Sequence, residues 1–189
     1  MKQLKEMIQA QGKIKSTSIL DVSDFLNMQV DVELMKEIGK AFAEHFKDAS
    51  FDVYITVEAS GIAPAVFASL YSNKPLIIIK KLSKQVEHFV QQPCYSYTKK
   101  EDYYLSVDKK YLEGKRCILI DDFLASGSVV ENVNHLCEKA EAQLIKTGIC
   151  ISKDFQEGVS LLKTNGYDVI SLARIKKMDP VTGSIEFIE

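Results

Sequence analysis

The chain has 189 residues, 46% of them hydrophobic, with 24 basic against 26 acidic side chains and a net charge of -2. This fits a single globular domain over residues 1–189 rather than a disordered chain. The charge balance argues against the broad basic surface that nucleic-acid binding uses. No stretch approaches the ~20 apolar residues of a membrane span, so neither nucleic acid nor membrane is an expected partner.

The first ten residues, MKQLKEMIQA, place Leu4, Met7 and Ile8 at helical spacing and lack the apolar run of a signal peptide. Cys94, Cys117, Cys137 and Cys150 show no CxxC spacing, and Cys117 and Cys150 sit in apolar runs as small buried hydrophobes would. A reduced, cytoplasmic protein is expected. Asp31 to Lys47 carries Leu34, Ile38, Phe42 and Phe46 on one helical stripe. Val53 to Val57 reads as a strand, EASG as a turn, and Ile62 to Tyr71 as a helix with Pro64 in its first turn, where a missing N–H is tolerated. Leu76 to Ile79 is a second short strand. From Lys81 to Pro93 the chain turns polar without periodicity, and Leu82 to Pro93 is expected to be a flexible lid loop. Cys94 to Thr98 and Tyr103 to Val107 read as the two arms of a hairpin.

Cys117 to Ile120 is a continuous apolar run, as buried parallel strands are. A helix over Val129 to Ala140, a strand over Leu144 to Ile151, a helix over Glu157 to Thr164 and a strand over Asp168 to Leu172 follow. Ser184 to Ile188 adds an edge strand. The alternation predicts an α/β fold, an open and mostly parallel twisted sheet with flanking helices joined by right-handed crossovers.

In such sheets ligands bind at the carboxyl ends of the strands. Asp121 and Asp122 fall at one such end, followed by the small residues Ala125, Ser126, Gly127 and Ser128 ahead of a helix. Small side chains let backbone N–H groups converge on an anion, and a helix start adds donors and a favourable dipole. Ser126 or Ser128 can cap the helix or donate to a phosphate. Carboxylates repel phosphate but accept hydrogen bonds from vicinal sugar hydroxyls or assist a hydrated magnesium ion. The combination suits a sugar phosphate; an ordinary exposed loop ahead of a capped helix is the competing reading. Neither the GxxxxGK[ST] pattern nor a dinucleotide glycine fingerprint is present. No Cys/His/Asp cluster has structural zinc spacing, so no resident metal ligands are assigned.

The run ILIDDFLASGS resembles the phosphoribosyl-diphosphate motif of the type I purine phosphoribosyltransferases, and the likeness extends over essentially the whole chain. It is nearest to the bacterial members that act on xanthine, through ILDVSDFLNMQVD, EASGIAPA, YSYTK, ISKDFQEG and SLARI. Those enzymes usually read LANGQ where this chain has LASGS; Ser126 and Ser128 stand in place of larger amides and keep hydrogen-bonding capacity.

The resemblance implies transfer of the 5-phosphoribosyl group from phosphoribosyl diphosphate to xanthine, giving xanthosine 5′-monophosphate and diphosphate in purine salvage. It implies Mg2+ carried with the phosphoribosyl diphosphate, and a homodimer. It assigns the 5′-phosphate to Ala125, Ser126, Gly127, Ser128 and Val129, and the ribose hydroxyls to the catalytic pair Asp121 and Asp122. Glu58, Ala59, Ser60 and Gly61 match the pyrophosphate loop, with Lys81 as a further catalytic cation and Lys84 as a weaker candidate. Leu20, Asn27 and Lys153 match base-contacting positions, in a hood built from about residues 1–35 with C-terminal elements. Phe155 either stacks on the base or packs under its loop. Taken singly, Leu20 reads as packing, Asn27 as a turn or cap, Lys153 as surface and Gly61 as an ordinary turn glycine. His45 and His135 lie in predicted helices, and His88 stands isolated in the polar loop. Two other readings stay open: the same chemistry on hypoxanthine, guanine or adenine, and a non-catalytic regulator that senses phosphoribosyl diphosphate. The segment before Leu20 has no room for a helix-turn-helix unit.

Overall fold

The computed structural model describes residues 1–96 and 101–189. Tyr97, Thr98 and Lys99, which belong to the YSYTK segment and in part to the expected arm Cys94 to Thr98, lie outside the described residues. The chain opens with helix α1 (Lys2–Gln11), the short antiparallel pair β1 (Lys13–Ile14) and β2 (Leu20–Asp21), and a π-helical turn over Ser23–Asn27. Helix α2 (Val32–Phe46) follows, started by Asp31, whose carboxylate accepts the Leu34 N–H at 2.9 Å. Then come β3 (Val53–Val57), α3 (Ile62–Ser72), β4 (Leu76–Leu82), β5 (Phe89–Ser96), β6 (Glu101–Asp108) and β7 (Arg116–Leu124). Helix α4 (Ser128–Lys139), β8 (Gln143–Lys153), α5 (Gly158–Thr164), β9 (Val169–Met178) and β10 (Ile185–Ile188) complete the order.

Eight strands form one sheet in the order β10-β9-β8-β7-β3-β4-β6-β5. The central five, β9-β8-β7-β3-β4, are parallel, and antiparallel strands close both edges. This is the expected open α/β sheet. Each face has its own core. Leu34, Ile38, Phe42 and Phe46 of α2 pack with Tyr54, Ile118 and Ile120 on one side, where Leu4 and Ile8 of α1 join them. Val133 and Leu136 of α4 and Leu162 of α5 pack with Val53, Ile55, Val57 and Leu119 on the other. Strand β3 therefore alternates its side chains between two buried faces, which explains its unbroken apolar sequence.

Three expectations are corrected here. The segment Leu82 to Pro93 is not one polar loop: β4 runs on to Leu82 and β5 begins at Phe89, leaving only Ser83 to His88 as the connection. The strand is hidden in the sequence because its polar residues are paired. Gln91 Nε2 donates to Ser106 Oγ at 2.6 Å, and Pro93 sits on the sheet's edge strand, where a missing N–H is harmless. Lys81 lies within β4 rather than after it. Finally, β7 does not stop at Ile120; its pairing with β8 continues through Asp121↔Ile149, Phe123↔Ile151 and Leu124↔Ser152.

Strand order reverses between β3 and β7, since β3 leads by α3 to β4 on one side while β7 leads by α4 and α5 to β8 and β9 on the other. Such a switch point opens a crevice beyond the carboxyl ends of its two strands. The N-terminal segment reaches the same end of the molecule: the Met1 amino group donates to Leu172 O and Lys5 Nζ to Ile188 O, holding α1 against β9 and β10.

Helices α2 and α3 meet closely at Gly39, where an added Cβ would fall 2.6 Å from the Phe67 carbonyl carbon. Gly39→Ala must push the two helices apart and is expected to cost about 1–3 kcal/mol, read as a lower urea midpoint with an unchanged slope.

Candidate functional site

At the switch point, the turn Glu58–Gly61 after β3 meets Asp121 of β7, and β7 runs on into residues 125–129. Asp121 is 8% exposed, and its Oδ1 accepts the Asp122 N–H at 3.0 Å. Asp122 Oδ1 accepts the Phe123 N–H at 2.9 Å, and its Oδ2 accepts Asn27 Nδ2 at 3.2 Å. Both carboxylates were expected to act on one ribose from a loop. They instead stand in a strand, where neighbouring side chains diverge, and they meet different partners. Asp122 turns to Asn27. Asp121 lies beside the turn after β3: a Cβ on Gly61 would fall 2.9 Å from Asp121 Oδ1 and would overlap Thr56 Oγ1. Gly61 has φ −74, so close approach rather than an unusual dihedral is what requires glycine.

Burial, and after it the charge of Asp122, holds the Asp121 carboxyl well above the usual carboxylate range; the Lys81 ammonium opposes this weakly. Thr56 Oγ1 is buried at the same place with no hydrogen-bond partner among the described residues. Glu58 anchors its turn to β4, accepting the Lys81 N–H at 2.7 Å and pairing with Lys80 Nζ at 3.2 Å. The Glu58–Ala59 peptide is cis. Ser60 is partly exposed and Ala59 exposed at the tip. Lys81 Nζ lies 5.8 Å from the Tyr103 ring centroid.

The small-residue loop ends at Gly127, whose φ of 85° delivers the chain into α4 from the left-handed region that glycine favours. Gly127, at the N-cap, offers no capping side chain; Ser126 Oγ accepts the Ser128 N–H at 3.5 Å, and the two hydroxyls bond each other at 3.0 Å. Ser126 and Ser128 are exposed, and Ala125 and Val129 are partly so. The loop rests on α5: a Cβ on Gly158 would lie 2.6 Å from the Ser126 carbonyl carbon and 2.7 Å from the Gly127 nitrogen. Gly158 is thus as necessary to the loop as Gly127. Its signal was present only as the glycine that follows ISKDFQE.

On the far side of β7, Lys153 ends β8 with Nζ donating to Ser18 O at 2.8 Å and lying 5.1 Å from the Phe123 ring centroid. Burial lowers its pKa, and the charge of Asp122 works against that fall. Asn27, Asp122 and Lys153 are therefore neighbours, although 126 positions separate the first from the last. Leu20 is buried in the adjoining core. Phe155 is 39% exposed and follows Asp154, which is held by the Arg174 guanidinium at 2.7 Å. His45, His88 and His135 do not join this group. The structure joins Gly61 to Asp121, Asn27 to Asp122 and Glu58 to Lys81, and sets Lys153 beside Phe123; Lys84 stays in the exposed connection after β4. Thr56 and Gly158 were missed, because a threonine inside a strand and a glycine at a helix start carry no signal until the chain is folded.

Asp121 keeps its proton natively over a range in which the unfolded chain has released it. Stability therefore falls as pH rises from about 3.9 to the raised native value and stays lowered above it. Asp121→Asn removes this titration. At pH 8 its Tm is expected above wild type by a few degrees, the difference vanishing near pH 3.5, with turnover reduced about tenfold or more. Thermal melts across pH check the sign, and a lower Tm at pH 8 would contradict it.

The phosphoribosyl transferase domain family matches residues 29–173. A xanthine phosphoribosyltransferase of Bifidobacterium adolescentis is 43% identical over 99% of this chain and 99% of its own. Another from Listeria innocua is 43% identical over 95% of each. Among solved structures, adenine phosphoribosyltransferase from Trypanosoma brucei, in complex with AMP, pyrophosphate and ribose-5-phosphate, superposes with TM-score 0.74 at 16% identity, covering 90% of this chain and 79% of that one. The Giardia lamblia enzyme, complexed with 9-deazaadenine, gives 0.73 at 18% identity over 90% and 97%. These structural likenesses speak to the fold. With the family match over most of its length and relatives matched end to end, the chain belongs to the phosphoribosyltransferase family.

Proposed function

We propose that this protein transfers the 5-phosphoribosyl group of phosphoribosyl diphosphate to xanthine, releasing diphosphate and xanthosine 5′-monophosphate. The observation that carries the reading is the meeting, at the switch point, of an acidic strand end with an uncapped helix start. Residues 125–129 offer backbone N–H groups and two hydroxyls to the 5′-phosphate. Asp121 and Asp122 accept hydrogen bonds from the ribose hydroxyls, each from its own side. The Glu58–Gly61 turn receives the diphosphate, with Lys81 of β4, whose N–H bonds Glu58, as the cation that neutralises its charge. Mg2+ carried with the phosphoribosyl diphosphate would supply charge neutralisation to the leaving diphosphate.

Xanthine as acceptor rests on the relatives' names and on Asn27 and Lys153. Lys153 is a donor suited to an oxo group and disfavours an exocyclic amine. Asn27 donates its amide N–H to Asp122, which makes its Oδ1 the acceptor it offers a purine ring N–H. The Lys153–Ser18 bond closes the N-terminal segment over the base site as a hood, with Leu20 as its apolar floor and Phe155 at its rim. A purine ring nitrogen then attacks the anomeric carbon as diphosphate leaves. The sugar passes through an oxocarbenium-like state, so catalysis is positioning and electrostatics without a covalent enzyme intermediate. The four cysteines are free and buried, which supports a reducing, cytoplasmic setting. The exposed Val66, Leu70 and Tyr71 on α3 support association with a second copy.

The direct test is diphosphate release with xanthine, hypoxanthine, guanine and adenine, with and without Mg2+. Strong preference for xanthine and dependence on Mg2+ are expected; equal use of hypoxanthine would sink selection for a 2-oxo group. Asn27→Ala is expected to raise the KM for xanthine about tenfold while leaving that for phosphoribosyl diphosphate within about twofold. An equal loss of both would remove Asn27 from base recognition.

A further inference from the structure

The inner face of β5 contains an anomaly. Along it, Val90 packs against the core and Cys94 is buried in it, yet Gln92 stands between them. Its amide has a specific destination. Gln92 Nε2 donates to Asn132 Oδ1 at 3.1 Å, beside a longer 3.3 Å bond to Pro93 O, and Asn132 Nδ2 donates to Ser128 O at 2.8 Å. Ser128 is the first residue of α4. Asparagine in a helix interior is unfavourable by propensity and tends to compete for backbone groups; here its amide reaches back one turn to the carbonyl at the helix start. The other end of α4 is tied to the same strand, with Lys139 Nζ donating to Gln91 O at 3.2 Å.

The carbonyl that receives this relay belongs to the same peptide unit as the Val129 N–H. Orienting the Ser128 carbonyl therefore orients that N–H, and a donor bonded to the oxygen polarises the whole unit. Val129 closes the 125–129 loop that the functional reading gives to the 5′-phosphate. An apolar side chain at position 92 would serve packing as its neighbours do, so packing alone does not account for the glutamine.

We propose that Gln92 and Asn132 are positioning residues for the phosphoribosyl donor: the edge strand, through these two amides, holds the first peptide of α4 in the orientation that presents its N–H to phosphate. This rests on the reading of residues 125–129 as the phosphate site. A double-mutant cycle tests it, with Gln92→Met, Asn132→Ala and the pair, measuring calorimetric affinity for phosphoribosyl diphosphate, both KM values and Tm. Each single change is expected to weaken phosphoribosyl-diphosphate binding about fivefold with the xanthine KM within about twofold, and the double variant to lose no more than the worse single. Losses that add, equal losses for both substrates, or unchanged donor affinity would overturn the relay. Gln92→Met leaves α4 untouched and decides the matter if Asn132→Ala does not fold. A wild-type chain that binds no phosphoribosyl diphosphate would overturn the function itself, which is a different result from a wild type that binds and variants that bind equally.

Discussion

Strand β7 keeps its hydrogen-bonded ladder with β8 through Leu124, beyond the end of its apolar run at Ile120. That continued pairing is the constraint around which the site is arranged. It carries Asp121 into the protein, where its carboxylate accepts the Asp122 N–H, and it leaves Asp122 facing Asn27. The turn after β3 must then pass so close to Asp121 and Thr56 that Gly61 has no room for a side chain. The chain leaving β7 must swing through a left-handed Gly127 onto a bare Gly158. Two of these glycines answer to close approach and one to its positive φ.

A buried carboxyl flanked by a second carboxylate is costly to ionise, and beside it Thr56 Oγ1 is buried with no hydrogen-bond partner among the described residues. On this side of β7 the fold, rather than solvation, holds these polar groups in place. The same logic applies on the other side of β7. Asp122 is satisfied by Asn27, and the Lys153 ammonium reaches Ser18, so the N-terminal segment is fastened to the strand end by polar bonds over an apolar floor. Fold and site are thus coupled through a few side chains that do both.

Much of the fold was legible. The apolar stripe Leu34, Ile38, Phe42, Phe46 became the buried face of α2, and the run Cys117 to Ile120 became a strand covered on both faces. The alternation of strands and helices predicted the parallel sheet, and the acidic segment fell at the carboxyl end of a central strand, β7. What was misread shares one cause. β5 carries Gln91, Gln92 and Pro93, residues that look like loop because their amides find partners in Ser106 and Asn132 rather than in water.

The sequence by itself determined the alternating elements, the identity of the strand end that bears the carboxylates, and the family, because apolar periodicity and a short motif are local properties that survive without coordinates. Only the tertiary structure decided that Asp121 and Asp122 serve different sides, that Asn27, Asp122 and Lys153 meet, and that Gly158 belongs to the loop ahead of α4. Those facts arise from strand order and register, which bring distant segments within hydrogen-bond reach and leave no trace in the spacing of residues along the chain. The acidic strand end was visible from the start; the different partners of its two carboxylates were not.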